Sequence, residues 1–208
     1  MHKVVLPVII AVVAALSGVF LYQKLMLAEP EHSLYYQSPR EVKAFEFTDH
    51  QGNSFTNQQL NQQWSWVFFG YTSCPDICPT TLQELNFVYD DLKKVANNTQ
   101  VLLVSVDPNR DTQERLNQYI PYFNEEFFAL RAGHDVLFPF ARNLGLMYSV
   151  HDDTTQENYL VDHSASVVLI NPDGDIAAIF KPDHELGKLP IVKGDDLLAD
   201  FEKIVRLY

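Results

Sequence analysis

The chain is poor in cysteine and in positive charge, and both shortages limit what it can be. Only 2 of its 208 residues are cysteine, Cys74 and Cys78, with three residues between them and a proline after each. A disulfide across so short a loop removes little freedom from the unfolded chain, so a structural staple is a poor use for the pair. The 15 Lys and Arg stand against 27 Asp and Glu, for a formal net charge of -12. No basic run occurs, which argues against a nucleic-acid surface built on clustered Lys and Arg. Internal repeats, low-complexity tracts and any motif for a flavin, a nicotinamide or a haem are missing as well. What remains is 47% hydrophobic and 12% aromatic, ample for one domain with a substantial core and short for two.

Charge is also absent from Val4 to Tyr22, a run of apolar residues introduced by Met1-His2-Lys3. As a helix it would span about 28 Å, close to the hydrocarbon core of a bilayer. The reading is an N-terminal transmembrane anchor over residues 1–24. A cleaved signal peptide, with Ala15-Leu16-Ser17 as its small-x-small site, is the rival. Either exports the rest of the chain. Residues 25–40, without a clear period and with two prolines, read as a tether, and 41–208 as the folded domain. Paired cysteines favour an oxidising compartment. No Arg-rich, acid-poor presequence is visible, so the expected location is a bacterial cytoplasmic membrane with the domain in the periplasm.

Within the domain, Ala44–Thr48 alternates, 49–53 turns and Ser54–Thr56 resumes, a short hairpin signal. Trp64–Phe69 reads as a strand that runs straight into the cysteines. From Pro79, the apolar positions Leu82, Leu85, Val88, Leu92 and Val95 mark one face of a helix. Val101–Val106 is apolar enough for a strand covered on both faces. A helix over Gln113–Tyr119, a short strand at Phe127–Leu130 and a helix over Val136–Leu144 follow. Ser166–Ile170 and Asp175–Phe180 flank Asn171-Pro172-Asp173-Gly174, a turn signal for an antiparallel hairpin, and Asp195–Leu207 is a closing helix. This order predicts an α/β fold of the thioredoxin-like type: a mixed sheet flanked by helices, preceded by an N-terminal hairpin.

The stretch Gly70-Tyr71-Thr72-Ser73-Cys74-Pro75-Asp76-Ile77-Cys78-Pro79 joins a strand to a helix. A helix starting at Pro79 suits proline's preference for the first position, and both cysteines precede proline, which turns them away from helical angles. The sulfurs would then lie by free N–H groups and the positive end of the helix dipole, which favours thiolate. Redox exchange suits such a pair, although the Trp-Cys-x-x-Cys pattern of dedicated oxidoreductases is exceeded by one residue. Two thiolates can also grip a soft cation, copper(I) foremost. Peroxide reduction is weakened by Tyr71, which stands where peroxide-reducing relatives carry Thr. A two-sulfur copper site wants a third donor, and the histidines are His2, His32, His50, His134, His151, His163 and His184. Of these, His163 lies on a loop just ahead of a strand, from which it could cross to the end of the central strand.

Tyr71–Pro79, Val104-Ser105-Val106-Asp107-Pro108-Asn109-Arg110-Asp111-Thr112 and Tyr159-Leu160-Val161-Asp162-His163-Ser164 together resemble the Sco/SenC family in order and spacing, over roughly residues 40 to 205. The resemblance implies a membrane-tethered thioredoxin-like domain that binds one copper, as Cu(I) or Cu(II), through Cys74, Cys78 and His163. It places Asp107 just behind these ligands, where a plain strand-ending Asp-Pro turn is the other reading. It further implies delivery of copper to the cytochrome c oxidase subunit that carries the dinuclear copper site, with copper-donating or thiol-reducing proteins as further partners. The competing expectations are a thiol–disulfide oxidoreductase using Cys74 and Cys78 as its redox pair to keep that subunit's cysteines reduced, and a copper or redox sensor.

Overall fold

The computed structural model describes residues 2–26, 28–150, 159–184 and 187–208. A helix, α1 (His2–Met26), precedes the domain. The domain's strands are β1 (Ser33–Glu41), β2 (Glu46–Asp49), β3 (Ser54–Thr56), β4 (Trp64–Gly70), β5 (Thr99–Ser105), β6 (Phe128–Arg131), β7 (Tyr148–Val150), β8 (Val161–His163), β9 (Val167–Ile170) and β10 (Asp175–Phe180). Its helices are α2 (Ile77–Val95), α3 (Gln113–Tyr119), α4 (His134–Asn143) and α5 (Gly194–Leu207).

Eight strands form one sheet in the order β1-β10-β9-β4-β5-β6-β2-β3, and β7 pairs with β8 in a separate ribbon. The central strands β4, β5 and β6 run parallel and the outer pairings are antiparallel. Every residue of β4 and β5 is buried, as continuous apolar runs in doubly covered strands should be. Alternation along β4 decides which helix meets which side chain. Trp64 and Trp66 meet Phe201 of α5 edge-on, at 5.3 and 5.1 Å between ring centroids. Phe69 turns the other way, towards Phe140 of α4 at 6.0 Å. The result is a mixed sheet between helices, and the β2–β3 hairpin stands where the alternation puts it.

The hairpin between β9 and β10 shows its turn chemistry directly. The Gly174 N–H donates to the Asn171 carbonyl at 2.9 Å, and Gly174 sits at a φ of +84°, open to glycine at little cost. The Asn171 side chain also accepts from the N–H groups of Asp173 and Asp175.

Two stretches differ from expectation. Most of the presumed tether is structured: residues 33–41 form β1, an edge strand antiparallel to β10. Its side chains are mostly exposed, so it carries no hydrophobic alternation to betray it. Its pairing comes from the backbone of β10 and from Asp200 of α5. The β7–β8 ribbon is likewise too short to show a period. Among the described residues, no helix is long and apolar enough to cross a membrane. In α1 the described side chains, from Val5 to Tyr22, are exposed.

Candidate metal centre

Gly70 ends β4 in the middle of the sheet, and the next residues turn to start α2. The helix begins at Ile77, two residues before the expected start, so Cys78 lies in its first turn with Pro79 behind it. Proline is harmless there because first-turn N–H groups have no partner within the helix. Asp76 occupies the N-cap position without a capping side-chain bond. A sulfur takes that role: the Cys78 N–H donates to Cys74 Sγ at 3.4 Å.

The turn is pinned from the segment after β5. Asp111, fully buried, accepts from the Thr72 N–H at 3.1 Å, the Thr72 hydroxyl at 2.6 Å and the Ser105 hydroxyl at 2.6 Å. Arg115 donates to the Ser73 hydroxyl at 2.9 Å. Gly70 leaves room for the sulfur, since a Cβ there would stand 3.1 Å from Cys78 Sγ and 3.0 Å from both Phe68 and Leu103.

His163 reaches the cysteines from β8, with its Nε2 at 3.2 Å from Cys78 Sγ. Its Nδ1 faces the Ser164 carbonyl at 3.1 Å. A carbonyl only accepts, so Nδ1 carries a proton there, and Nε2 is the nitrogen that faces the sulfurs. Phe68 and Tyr71 hold the imidazole edge-on, each at 5.9 Å, and the Tyr71 hydroxyl accepts from the Val161 N–H at 3.5 Å. Among the described residues, Cys74, Cys78 and His163 are the one group of three or more candidate ligands, with donor atoms all within 4.8 Å of one another.

Both cysteines are free thiols, Cys78 buried and Cys74 partly exposed. Hydrogen bonding from the Cys78 side chain, against an opposing desolvation, lowers the Cys74 pKa to about 4. His163 and the backbone N–H groups of Cys78 and Asp76 lower it further. Burial drives the Cys78 thiol strongly upward, and its bond to Cys74 adds to the rise. One proton on Cys78 thus lies among two sulfurs and an imidazole nitrogen, where a soft cation would replace it.

The donors fit such a cation. With metal–thiolate distances of about 2.3 Å and metal–imidazole distances of about 2.0 Å, three donors in a plane around one ion stand about 3.7–4.0 Å apart. The observed spread needs only small side-chain movement to reach that. Two sulfurs with one imidazole suit copper better than hard cations.

Asp107 touches none of the three donors. Its buried carboxylate accepts from Arg110 Nε and from the Tyr159 hydroxyl. The Arg110 guanidinium lies 3.6 Å over the Tyr159 ring and 5.5 Å over Tyr71. Its contacts instead fasten Tyr159, on the chain that leads into β8. Sequence reasoning passed over Asp111 and Gly70. Their signals, an acid a few residues past a buried strand and a glycine at a strand's end, are too common to single out.

Four other histidines, His32, His50, His134 and His184, are engaged elsewhere or exposed. His50 is buried and accepts from the Ala129 N–H at 3.3 Å; His32 lies 3.3 Å from Asp196; His134 bonds the Tyr148 hydroxyl at 2.8 Å. His184 is exposed, and His151 lies outside the described residues.

The SCO1/SenC family model matches residues 35–190. A putative copper-binding protein of Stutzerimonas stutzeri is 32% identical over 151 residues, 72% of this chain and 74% of its own. A SCO2-like protein of Rickettsia conorii is 33% identical over 174 residues, 80% of this chain and 85% of its own. Among solved structures, ScoI of Arabidopsis thaliana with copper bound superposes with a TM-score of 0.68 at 26% identity, covering 80% of this chain and 99% of that one. With the fold, the three sequence motifs and the family model in agreement, the chain belongs to the SCO1/SenC family.

Proposed function

We propose that the chain is a membrane-tethered, extracytoplasmic copper carrier that holds one copper on Cys74, Cys78 and His163. Its cargo would pass to the dinuclear copper site of cytochrome c oxidase. The observation that carries this reading is the 3.2 Å approach of His163 Nε2 to Cys78 Sγ across 85 residues of sequence. Copper-bound relatives support the choice of metal, and family resemblance supports the recipient. Support for the tether comes from the uncharged run Val4 to Tyr22 and the exposed apolar side chains of α1. Both thiols must be reduced to bind; an oxidised pair is linked sulfur to sulfur and closed to metal. Release proceeds by ligand exchange, the recipient's donors replacing these three in turn.

Copper titration of the reduced, full-length protein in detergent tests this. The expectation is one copper per chain, lost in Cys74→Ser and Cys78→Ser and weakened at least about 100-fold in His163→Ala, more than the effect typical of outer-shell partners. Unchanged stoichiometry and affinity in all three variants would overturn it.

A second reading, thiol–disulfide exchange, is favoured by the asymmetry of the pair. Cys74, partly exposed and held as thiolate, is built to attack, and buried Cys78 to resolve. His163→Ala separates the two functions: retained physiological function together with lost copper would favour exchange.

A further inference from the structure

The sheet's register shows where the chain enters the domain relative to the metal centre. Ser33, first in β1, pairs with Phe180; Phe180 pairs with Val167; Val167 pairs with Phe68. Phe68 is two residues before Gly70, from which the cysteine turn departs. The entry point and the metal centre therefore lie along the same edge of the sheet, the one formed by these strand ends, three strand spacings or about 14 Å apart. The opposite edge carries the β9–β10 turn, where Asp173 is exposed. Trp64 to Gly70 separates the two edges by about 20 Å along β4.

The entry point is locked. Asp200 of α5, fully buried, accepts the Glu31 N–H at 2.8 Å, the His32 N–H at 2.8 Å and the Ser33 hydroxyl at 2.7 Å. Lys203 reinforces the contact, 2.8 Å from Glu31 and 3.8 Å from Asp200. Since α1 ends at Met26, only residues 27–30 separate it from the first clamped group. The five steps from Met26 to Glu31 reach at most about 18 Å. A free tether to residue 40 would have let the domain turn any face to the membrane; a leash this short does not.

On the reading that α1 anchors the chain in a bilayer, we propose that the Asp200 clamp holds the domain with its metal-binding edge towards the membrane surface. Exposed apolar side chains on this edge agree with that: Leu34 beside the clamp, Leu160 next to β8, and Met147, whose carbonyl accepts the Ser164 N–H.

Resonance energy transfer in vesicles tests the orientation. The full chain is reconstituted into phosphatidylcholine vesicles carrying a headgroup acceptor dye. A donor dye is placed on Cys74 in a Cys78→Ser background, or on position 173 in a Cys74→Ser, Cys78→Ser, Asp173→Cys background. The expected result is higher transfer from position 74, with the two positions differing in height by about 20 Å, the span of β4. A flexible Gly-Ser insertion between Ala28 and Glu29 should erase the difference, and Asp200→Ala should reduce it. The insertion leaves every contact of the folded domain in place, so it tests the leash even if Asp200→Ala misfolds. Equal transfer from the two positions in the uninserted protein, or higher transfer from position 173, overturns the orientation while leaving the anchor and the copper centre standing. A chain that does not float with the vesicles overturns the anchor and this inference together.

Discussion

The charge state of Cys74 gives the most demanding test of the site, because it can be worked through without metal. An ordinary thiol near pKa 9 is about 0.1% thiolate at pH 6, whereas a thiol at about 4 is almost wholly ionised. The thousandfold gain in thiolate is partly cancelled, because nucleophilicity falls with pKa at a Brønsted slope of about 0.4–0.5. Five pKa units then cost about 100- to 300-fold in intrinsic rate. At pH 6, Cys74 should react with an aromatic disulfide only about 3- to 10-fold faster than N-acetylcysteine, and above pH 9 it should react more slowly. The shape of the profile is the stronger signature. A lowered pKa keeps the thiolate present as pH falls until about 4, so the rate should be flat from about pH 5 to 9 and drop only below that. The assay is stopped-flow release of the aromatic thiol from reduced protein in chelator. Cys78→Ala should shift the inflection upward most, because the Cys78 side chain is the largest stabiliser of the thiolate, and His163→Ala should shift it less. A rate that climbs tenfold per pH unit from 5 to 8 would refute the thiolate assignment and the hydrogen-bond geometry behind it.

Other substitutions probe what holds the centre together. Asp111→Ala leaves two hydroxyls and the Thr72 N–H without their acceptor and should cost about 3 kcal/mol in urea unfolding, with copper affinity falling as the turn loosens. Gly70→Ala should weaken copper binding at least tenfold in competition with a chelator, because its Cβ presses on Cys78 Sγ, Phe68 and Leu103; unchanged affinity would mean that the turn gives way freely. Asp107→Asn removes the charge that fixes Arg110 and Tyr159, and it should reduce copper affinity while leaving the Cys74 inflection in place. Phe201→Ala takes away the ring that meets both Trp64 and Trp66 and should cost about 3–5 kcal/mol by denaturant titration, without altering copper stoichiometry under native conditions.

Much of this protein is legible in its sequence because the determining signals are local. Continuous apolar runs announced β4 and β5, the spacing of Leu82, Leu85, Val88 and Leu92 announced α2, and the Asn-Pro-Asp-Gly turn announced the β9–β10 hairpin. Cys74 and Cys78 are candidates from their spacing alone, since four residues cannot carry them far apart. What the sequence could not supply is whatever depends on partners distant along the chain. Strand β1 has no periodic pattern, because an exposed edge strand is held by another strand's backbone and by the Asp200 carboxylate 167 to 169 residues away. The start of α2 moved to Ile77 because a sulfur, not a conventional cap, receives the Cys78 N–H. The sequence could single out His163 by its place ahead of a strand and by the family resemblance, but the contact itself depends on the β7–β8 ribbon, pinned through Tyr159 and Tyr71, which brings its Nε2 to Cys78. Local sequence sets which residues are capable of the chemistry; only tertiary packing, by spending chain entropy to bring remote groups within a few ångströms, decides which of them meet.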